Sequence, residues 1–296
     1  MTKKGNTRVL RKFGSCDCHS HVFGPFSTFP LSETRTFDPP EEPIEALEHI
    51  WGRYGFDRAV IVQGSPYAFD SRAMLHAIER SPQTRRGVAL LPYDIGISEI
   101  ERLHTAGVRA VRFNWISHLL ARQSFKAAEH LERAAELLRL VGRYGWHAEV
   151  HVDIADLFMV DHLEAPPRMP IVIDHMARMH VDGTDYANQL GAILNLLKND
   201  RYWVKISGAD RLVAYSGDLN QALHPMRAIL AVAKDRCVWG LDRPHVNLVK
   251  KQDDDSLVDL LRCVAGEQAT LELLLIHNPS RLYDFPTIGY QRIVLP

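Results

Sequence analysis

Along the chain, short and mostly apolar runs rich in β-branched residues alternate with longer stretches of helical periodicity. The runs fall at residues 15–21, 58–65, 87–91, 108–114, 147–152, 171–175, 203–208 and 237–242. Each is short and largely apolar, as strands buried on both faces must be. Between them, residues 43–54 place Ile44, Leu47, Ile50, Trp51 and Tyr54 at helical spacing and stop at Gly55. Ser98-Glu99-Ile100-Glu101 predicts a capping box opening a helix that ends at Gly107. Residues 125–144 carry Leu131, Leu138 and Val141 and end at Gly145. Asp218 predicts a cap for a helix through Ala233, and helices over 256–264 and 268–275 finish the chain. Alternating strands and helices without a glycine-rich phosphate turn predict a parallel α/β sheet. Eight such units favour a closed (β/α)8 TIM barrel over an open, doubly wound sheet. Residues 31–40, after the first strand, are the expected lid loop.

Composition adjusts this picture only slightly. The chain has 296 residues, 46% of them hydrophobic and 24% charged, which supplies a large core. A net charge of −1 gives no bulk attraction to nucleic acid or to an anionic membrane. Neither partner is expected, and any charge on a substrate must be met locally. No apolar run approaches the roughly 20 residues that span a bilayer. The basic segment 1–13 lacks the apolar stretch of a secretory leader and reads as a disordered tail. Without a linker or a shift of composition, residues 14–296 are expected to form a single barrel domain. Four cysteines in so long a chain make no disulfide framework. A cytoplasmic protein is expected, and a homo-oligomer is compatible with the sequence.

Polar residues concentrate where the runs end. The first run closes with Asp17-Cys18-His19-Ser20-His21. Strand periodicity of two puts Asp17, His19 and His21 on one face and sends Cys16 and Cys18 towards the helices as packing residues. The fourth run ends in Arg112-Phe113-Asn114, and the fifth puts His147, Glu149 and His151 on one face. The sixth ends in Asp174-His175. Lys205 and Ser207 lie on the seventh, followed by Arg211. Asp242 closes the eighth, with Arg243-Pro244-His245 beyond it. Barrel enzymes carry their catalytic groups at such strand ends. A single strand-end histidine is more often a satisfied structural group. Three strands ending in histidine and one in aspartate call for a use, because buried unpaired ionisable groups are costly. Plainer roles stay open for the others. Lys205 can pair with Glu149, His147 can be satisfied inside the barrel, Asp174 can turn outward to cap a helix, and His118, Arg122 and Arg143 can be solvated.

These residues carry a family resemblance. Asp-x-His-x-His on the first run, Ile173-Asp174-His175-Met176 on the sixth and Trp239-Gly240-x-Asp242-x-Pro244-His245 on the eighth resemble the amidohydrolase-related family of the amidohydrolase superfamily. His21-Val22-Phe23-Gly24-Pro25, Val111-Arg112-Phe113-Asn114 and Asn278-Pro279-x-Arg281-Leu282-Tyr283 resemble its branch that hydrolyses pyrone dicarboxylates, and the shared segments run in order from about Asp17 to Tyr283. That branch acts without a metal. The resemblance then implies that His19, His21 and His175 polarise the lactone carbonyl and that Asp242 is the general base. It also implies that Arg112 and Arg211, with Asn114, His118 and His245, bind a small anionic substrate. The chain departs from the branch at His118, where the family has a second arginine, and at His151, where it has a tyrosine.

The second departure restores a metal-binding set. His19, His21, His151 and Asp242 match the positions that hold one Zn²⁺ in related amidohydrolases and decarboxylases. Three neutral imidazoles and a carboxylate suit one divalent metal, zinc above all. Arg112 stands where two-metal relatives place a bridging group, which argues against a second metal. The reading is a lactone hydrolase of aromatic-compound degradation. Non-oxidative decarboxylation releases carbon dioxide, and lactone isomerisation leaves the mass unchanged. Those two alternatives, and a barrel that only binds a ligand, are distinguished by product.

Overall fold

The protein is described by a computed structural model over residues 13–116, 127–248 and 250–286. Eight parallel strands pair in chain order. They are β1 (Cys16–Ser20), β2 (Arg58–Val62), β3 (Arg85–Ala89), β4 (Val108–Trp115), β5 (His147–Val152), β6 (Ile171–Ile173), β7 (Tyr202–Lys205) and β8 (Cys237–Val238). The circle closes between β8 and β1. Cys18 N donates to Trp239 O at 2.9 Å, Asp242 N donates to His19 O at 2.8 Å, and Ser20 bridges Arg243 in parallel. The barrel expected from the eight-unit count is therefore present.

Parallel neighbours need crossovers, and helices supply them. Among the described residues these include α1 (Ile44–Tyr54), α2 (Arg72–Glu79), α3 (Ile97–Thr105), α4 (Ala127–Val141), α5 (Phe158–Asp161), α6 (Tyr186–Leu196), α7 (Ala209–Leu212) and α8 (Leu223–Ala233). Gly55 ends α1 in the left-handed region, with φ 78°. Asp218 caps a short 3-10 turn that leads into α8, as its position predicts. The capping box at Ser98 does not form. Gly96 is the N-cap of α3 without a side-chain bond, so Ser98 already lies inside the helix and Glu99 pairs with Arg102 instead. No helix among the described residues is long and apolar enough to cross a membrane.

Two apolar layers result. One lies between sheet and helices, where Ile61, Val111, Val150 and Ile173 meet Leu47, Ile78, Leu103 and Leu138. The other fills the barrel, with Val60, Val62, Val88, Ala110, Val172 and Val238. Cys16 and Cys18 belong to this inner layer, not to the helix side as strict alternation predicts. The pairing of β1 with β2 shifts register between Asp17 and Ser20. Such a bulge re-aims the side chains beyond it. Asp17 instead accepts from Trp51 Nε1 of α1 at 2.8 Å and from Leu241 N at 2.9 Å.

β3 starts two residues earlier than its apolar run, with Arg85 and Arg86. Their backbones are strand, while their guanidiniums run out to Glu48 and to the Asp284 carbonyl. Long cationic stems buried this way hide a strand from an apolar pattern. The chain finishes with α9 (Asp254–Ala265), α10 (Gln268–Glu272), a π-helical turn over Leu273–His277 and α11 (Asn278–Leu282). Tyr283 and Phe285, just beyond α11, join the inner layer and close the barrel floor.

Candidate active site

Strand ends converge at the opposite end of the barrel, around Asp242. Its backbone takes φ 62° just beyond β8. Its two oxygens differ. Oδ2 accepts from Arg211 Nε at 2.9 Å and lies 2.7 Å from Arg211 Nη2. Oδ1 has no hydrogen-bond partner among the described residues. It faces His19 Nε2 at 3.7 Å and the Nε2 atoms of His21 and His175 at 3.8 Å each. Burial opposes charge on Asp242, but the Arg211 guanidinium together with the neighbouring His175, His21 and His245 outweighs it and holds the carboxyl well below the usual carboxylate range.

Burial drives the surrounding imidazoles the other way. His21 falls to about 4 through burial and the nearby Arg112. His175 falls to about 3 through burial, which with Arg211 overrides the Asp242 charge. His19 and His151 are lowered well below the ordinary value by burial, helped by Lys205 and Arg112 respectively. All four are neutral near pH 7, each with one N–H and one lone pair. His21 Nδ1 lies 2.8 Å from Val62 O. A carbonyl only accepts, so this nitrogen carries the proton and Nε2 presents its lone pair to the site. His151 Nδ1 sits 3.3 Å from Asn114 Oδ1, and its Nε2 is unpaired.

A second layer lies beneath. Asp174 Oδ2 accepts from Arg112 Nε at 2.8 Å, and Oδ1 lies 3.3 Å from Lys205 Nζ. Lys205 donates to Glu149 Oε2 at 2.6 Å, and Tyr283 OH donates to Glu149 Oε1 at 2.7 Å. Burial opposes charge on Asp174 and Glu149. Lys205 overcomes it together with His147 at Glu149 and with Arg112 and His175 at Asp174, and both carboxyls are held below their ordinary range. The pairing of Lys205 with Glu149 is the plain structural role the sequence allowed. The outward-turned, capping role allowed for Asp174 is overturned, because the residue follows the inward face of β6 and is fully buried.

Local backbone aims these groups. His175, Met176, Ala177 and Arg178 all have φ between 50° and 53°. A left-handed turn of ordinary residues costs roughly 1–2 kcal/mol for each. Complete burial of Met176 and Ala177 anchors it. Two glycines leave room for the rings. A Cβ on Gly208, itself at φ 64°, would stand 2.8 Å from His175 Nδ1, and one on Gly240 would collide with the backbone of His19.

Above this lies a cavity that opens to solvent. Its polar wall includes His21, Arg112, Asn114, His151, His175, Arg178, Arg211 and Asp242, and Phe23, Phe37, Ile116 and Val246 supply apolar surface. Phe37 comes from the segment expected as a lid. His19 lies wholly buried beside Asp242. His245 is a correction, since it does not line the cavity. Its Nε2 lies 2.8 Å from Asp254 Oδ1 and its Nδ1 3.6 Å from Asp210 Oδ2. Burial disfavours its charge, but these two carboxylates prevail and raise it to about 9. His118 and Arg122 lie outside the described residues. Arg178 was not singled out from sequence. It reaches the cavity because the left-handed turn after β6 carries it there, and the only sequence signal was its place three residues after His175.

The donor set fits a metal ion. His19, His21 and Asp242 each offer a ligand atom within 4.8 Å of the others, and His19, Asp174 and His175 form a second such group. Both nitrogens of His19, Nε2 of His151 and Oδ1 of Asp242 are buried without hydrogen-bond partners. Lys205 and Arg112 already neutralise Asp174 in the second group. The first group is therefore the better cation site; His151 lines the same cavity but is not drawn into that group.

Comparison with known proteins agrees with this geometry. A family model for amidohydrolases matches residues 16–285. The chain is 33% identical over 281 residues to 2-pyrone-4,6-dicarboxylate hydrolase of Comamonas testosteroni, covering 91% of this chain and 90% of the relative. It is 31% identical over 282 residues to 4-sulfomuconolactone hydrolase of Rhizobium radiobacter, covering 91% and 90%. Its fold is similar to that of a probable 2-pyrone-4,6-dicarboxylic acid hydrolase from Acinetobacter baumannii, with TM-score 0.77, 23% identity, and 92% and 100% of the two chains covered. The match over residues 16–285 and the identity to these relatives place this chain in the amidohydrolase family.

Proposed function

We propose that the chain is a cytoplasmic hydrolase that opens a small carboxylated lactone with water. The observation that carries this reading is Asp242 Oδ1, ionised, unpartnered and ringed by three neutral imidazoles beside a cavity with three guanidiniums. Arg112, Arg178 and Arg211 meet the anionic groups of the substrate, a task suited to a planar fork of donors. Asn114 adds a neutral polar contact from the same wall. The two curated relatives are named for a pyrone dicarboxylate and a sulfomuconolactone, which supports an anionic lactone here.

In the reaction, Asp242 Oδ1 accepts a proton from the attacking water. The water oxygen adds to the ester carbonyl, and the ring carbon–oxygen bond then breaks to leave a carboxylate and the freed ring oxygen, which takes up a proton. His175 and Arg112 stabilise charge on the carbonyl oxygen. His19, His21, His151 and Asp242 would hold a single divalent cation, zinc by the chemistry of that donor set. When bound, the cation supplies Lewis acidity and makes a water more acidic. Arg211 keeps Asp242 ionised and fixes its orientation in either case.

The test is turnover of 2-pyrone-4,6-dicarboxylate and of a muconolactone, followed by loss of the lactone absorbance. Wild-type protein consumes at least one of them and the Asp242→Asn variant, folded to the same extent, does not. Equal turnover by the two proteins contradicts the assignment of Asp242.

A further inference from the structure

His21 and His175 both point Nε2 at Asp242 Oδ1 from 3.8 Å, yet their far nitrogens meet different partners. His21 Nδ1 meets the Val62 carbonyl, which can only accept. His175 Nδ1 meets the Ser207 hydroxyl at 2.9 Å, which can donate or accept. Asp242 decides between these. An ionised carboxylate oxygen only accepts, so a lone pair on His175 Nε2 would face a lone pair on Oδ1. An Nε2–H facing Oδ1 is attracted instead, and this tautomer leaves Nδ1 to accept from Ser207.

Three features of the chain enforce the contact. Ser207 follows β7 and is buried. Gly208 has no Cβ to displace the His175 ring. The left-handed turn at His175 swings the ring across to β7. We infer that Ser207 is a positioning residue that donates to His175 Nδ1 and so, together with the Asp242 charge, holds His175 as the hydrogen-bond donor of the site. His21, by contrast, is fixed as a lone-pair group. The two imidazoles thereby divide the work, His21 suited to hold a cation and His175 suited to donate to the carbonyl oxygen as the lactone is attacked. Ser207 touches neither substrate nor reacting atoms.

This inference rests on the proposed lactone hydrolysis for its kinetic consequence, but its structural core does not. The first measurement is therefore the tautomer of His175, read from long-range nitrogen–proton correlations in protein labelled with nitrogen-15 at histidine, assigned by a His175→Gln control. Wild-type protein shows His175 as the Nε2–H form and His21 as the Nδ1–H form. Ser207→Ala shows a mixture or a reversal at His175 and an unchanged His21. Kinetically, Ser207→Ala lowers kcat by about tenfold or more, part of the 10²–10⁴ that a positioned proton donor contributes. KM and metal content stay near wild type, and Ser207→Thr, which keeps the hydroxyl, restores most of kcat. An Nδ1–H tautomer at His175 in wild type overturns the inference, as does an Nε2–H form unaffected by Ser207→Ala. Absence of lactone turnover in wild type, with the tautomers as stated, overturns the proposed reaction and leaves the role of Ser207 standing.

Discussion

The barrel holds two charge-rich regions, and they are built on opposite terms. Towards the floor, Lys205, Glu149, Asp174 and Tyr283 meet one another at 2.6–3.3 Å, and Arg112 of the cavity wall reaches down to Asp174 at 2.8 Å. Towards the mouth, His19, His151 and Asp242 keep buried nitrogens and an oxygen without hydrogen bonds. Among the described residues, two floor groups depart from this: neither ring nitrogen of His147 has a hydrogen bond, its Nε2 stopping 3.5 Å from Glu149, and Asp174 Oδ1 has the Lys205 ion pair but no hydrogen bond. Buried polar groups are nearly always satisfied, because leaving one unpaired costs about 1–3 kcal/mol. The floor is held by charge pairs centred on Lys205, which compensate its carboxylates and read as structure. The mouth breaks the rule where a cation, a water or a substrate oxygen would complete the set.

The comparison is broken most severely at Asp242. Asp242→Asn lowers kcat by roughly 10²–10⁴, the range of a positioned general base, and leaves the thermal midpoint close to wild type. Loss of folding with the activity would make Asp242 a structural residue like those of the floor. Lys205→Met gives the complementary result. It strands Glu149 and Asp174 without their shared cation, and breaking a buried pair this way destabilises by about 3–5 kcal/mol. Denaturant unfolding measures it, and a loss below about 1 kcal/mol would show that the floor is not held by its pairs.

Smaller changes sharpen the contrast. Arg178→Gln removes one cavity guanidinium and raises KM about tenfold, with a lesser effect on kcat, as loss of binding made equally in ground and transition states does. Steady-state kinetics on an anionic lactone checks it, and a fall in kcat alone would assign Arg178 to the chemical step. His245 gives the smallest effect, on stability. Its folded value of about 9 lies above the ordinary 6.5. A raised value means that the stabilisation is complete below about pH 6.5 and is lost as pH rises through about 9. Thermal melts across that window should show the advantage of wild type over His245→Gln shrinking with rising pH. A constant gap would remove the charged pair as its source.

Much of this contrast was legible in the chain. The eight apolar runs carried the barrel, because strands buried on both faces leave a continuous hydrophobic signature. Period two placed Glu149 and His151 inside correctly, since β5 pairs with β4 in unbroken register from Ala110 and His147 to Trp115 and Val152. It failed on β1, where Asp17 faces α1 and the cysteines face inward, while the register shift between Asp17 and Ser20 separates that face from His19 and His21 beyond it. His245 was misjudged because its motif neighbours Asp242 in sequence, while its ring turns towards Asp210 and Asp254. Arg178 escaped because four consecutive left-handed residues leave no trace in propensity or periodicity.

The most direct test of the account follows the fate of water oxygen. The protein is incubated with 2-pyrone-4,6-dicarboxylate in water labelled with heavy oxygen, and the product is weighed by mass spectrometry. The account predicts a ring-opened product heavier than the substrate by one labelled water, with the label in a carboxylate. A product of unchanged mass, one that has lost carbon dioxide, or no product from any anionic lactone supplied would contradict it.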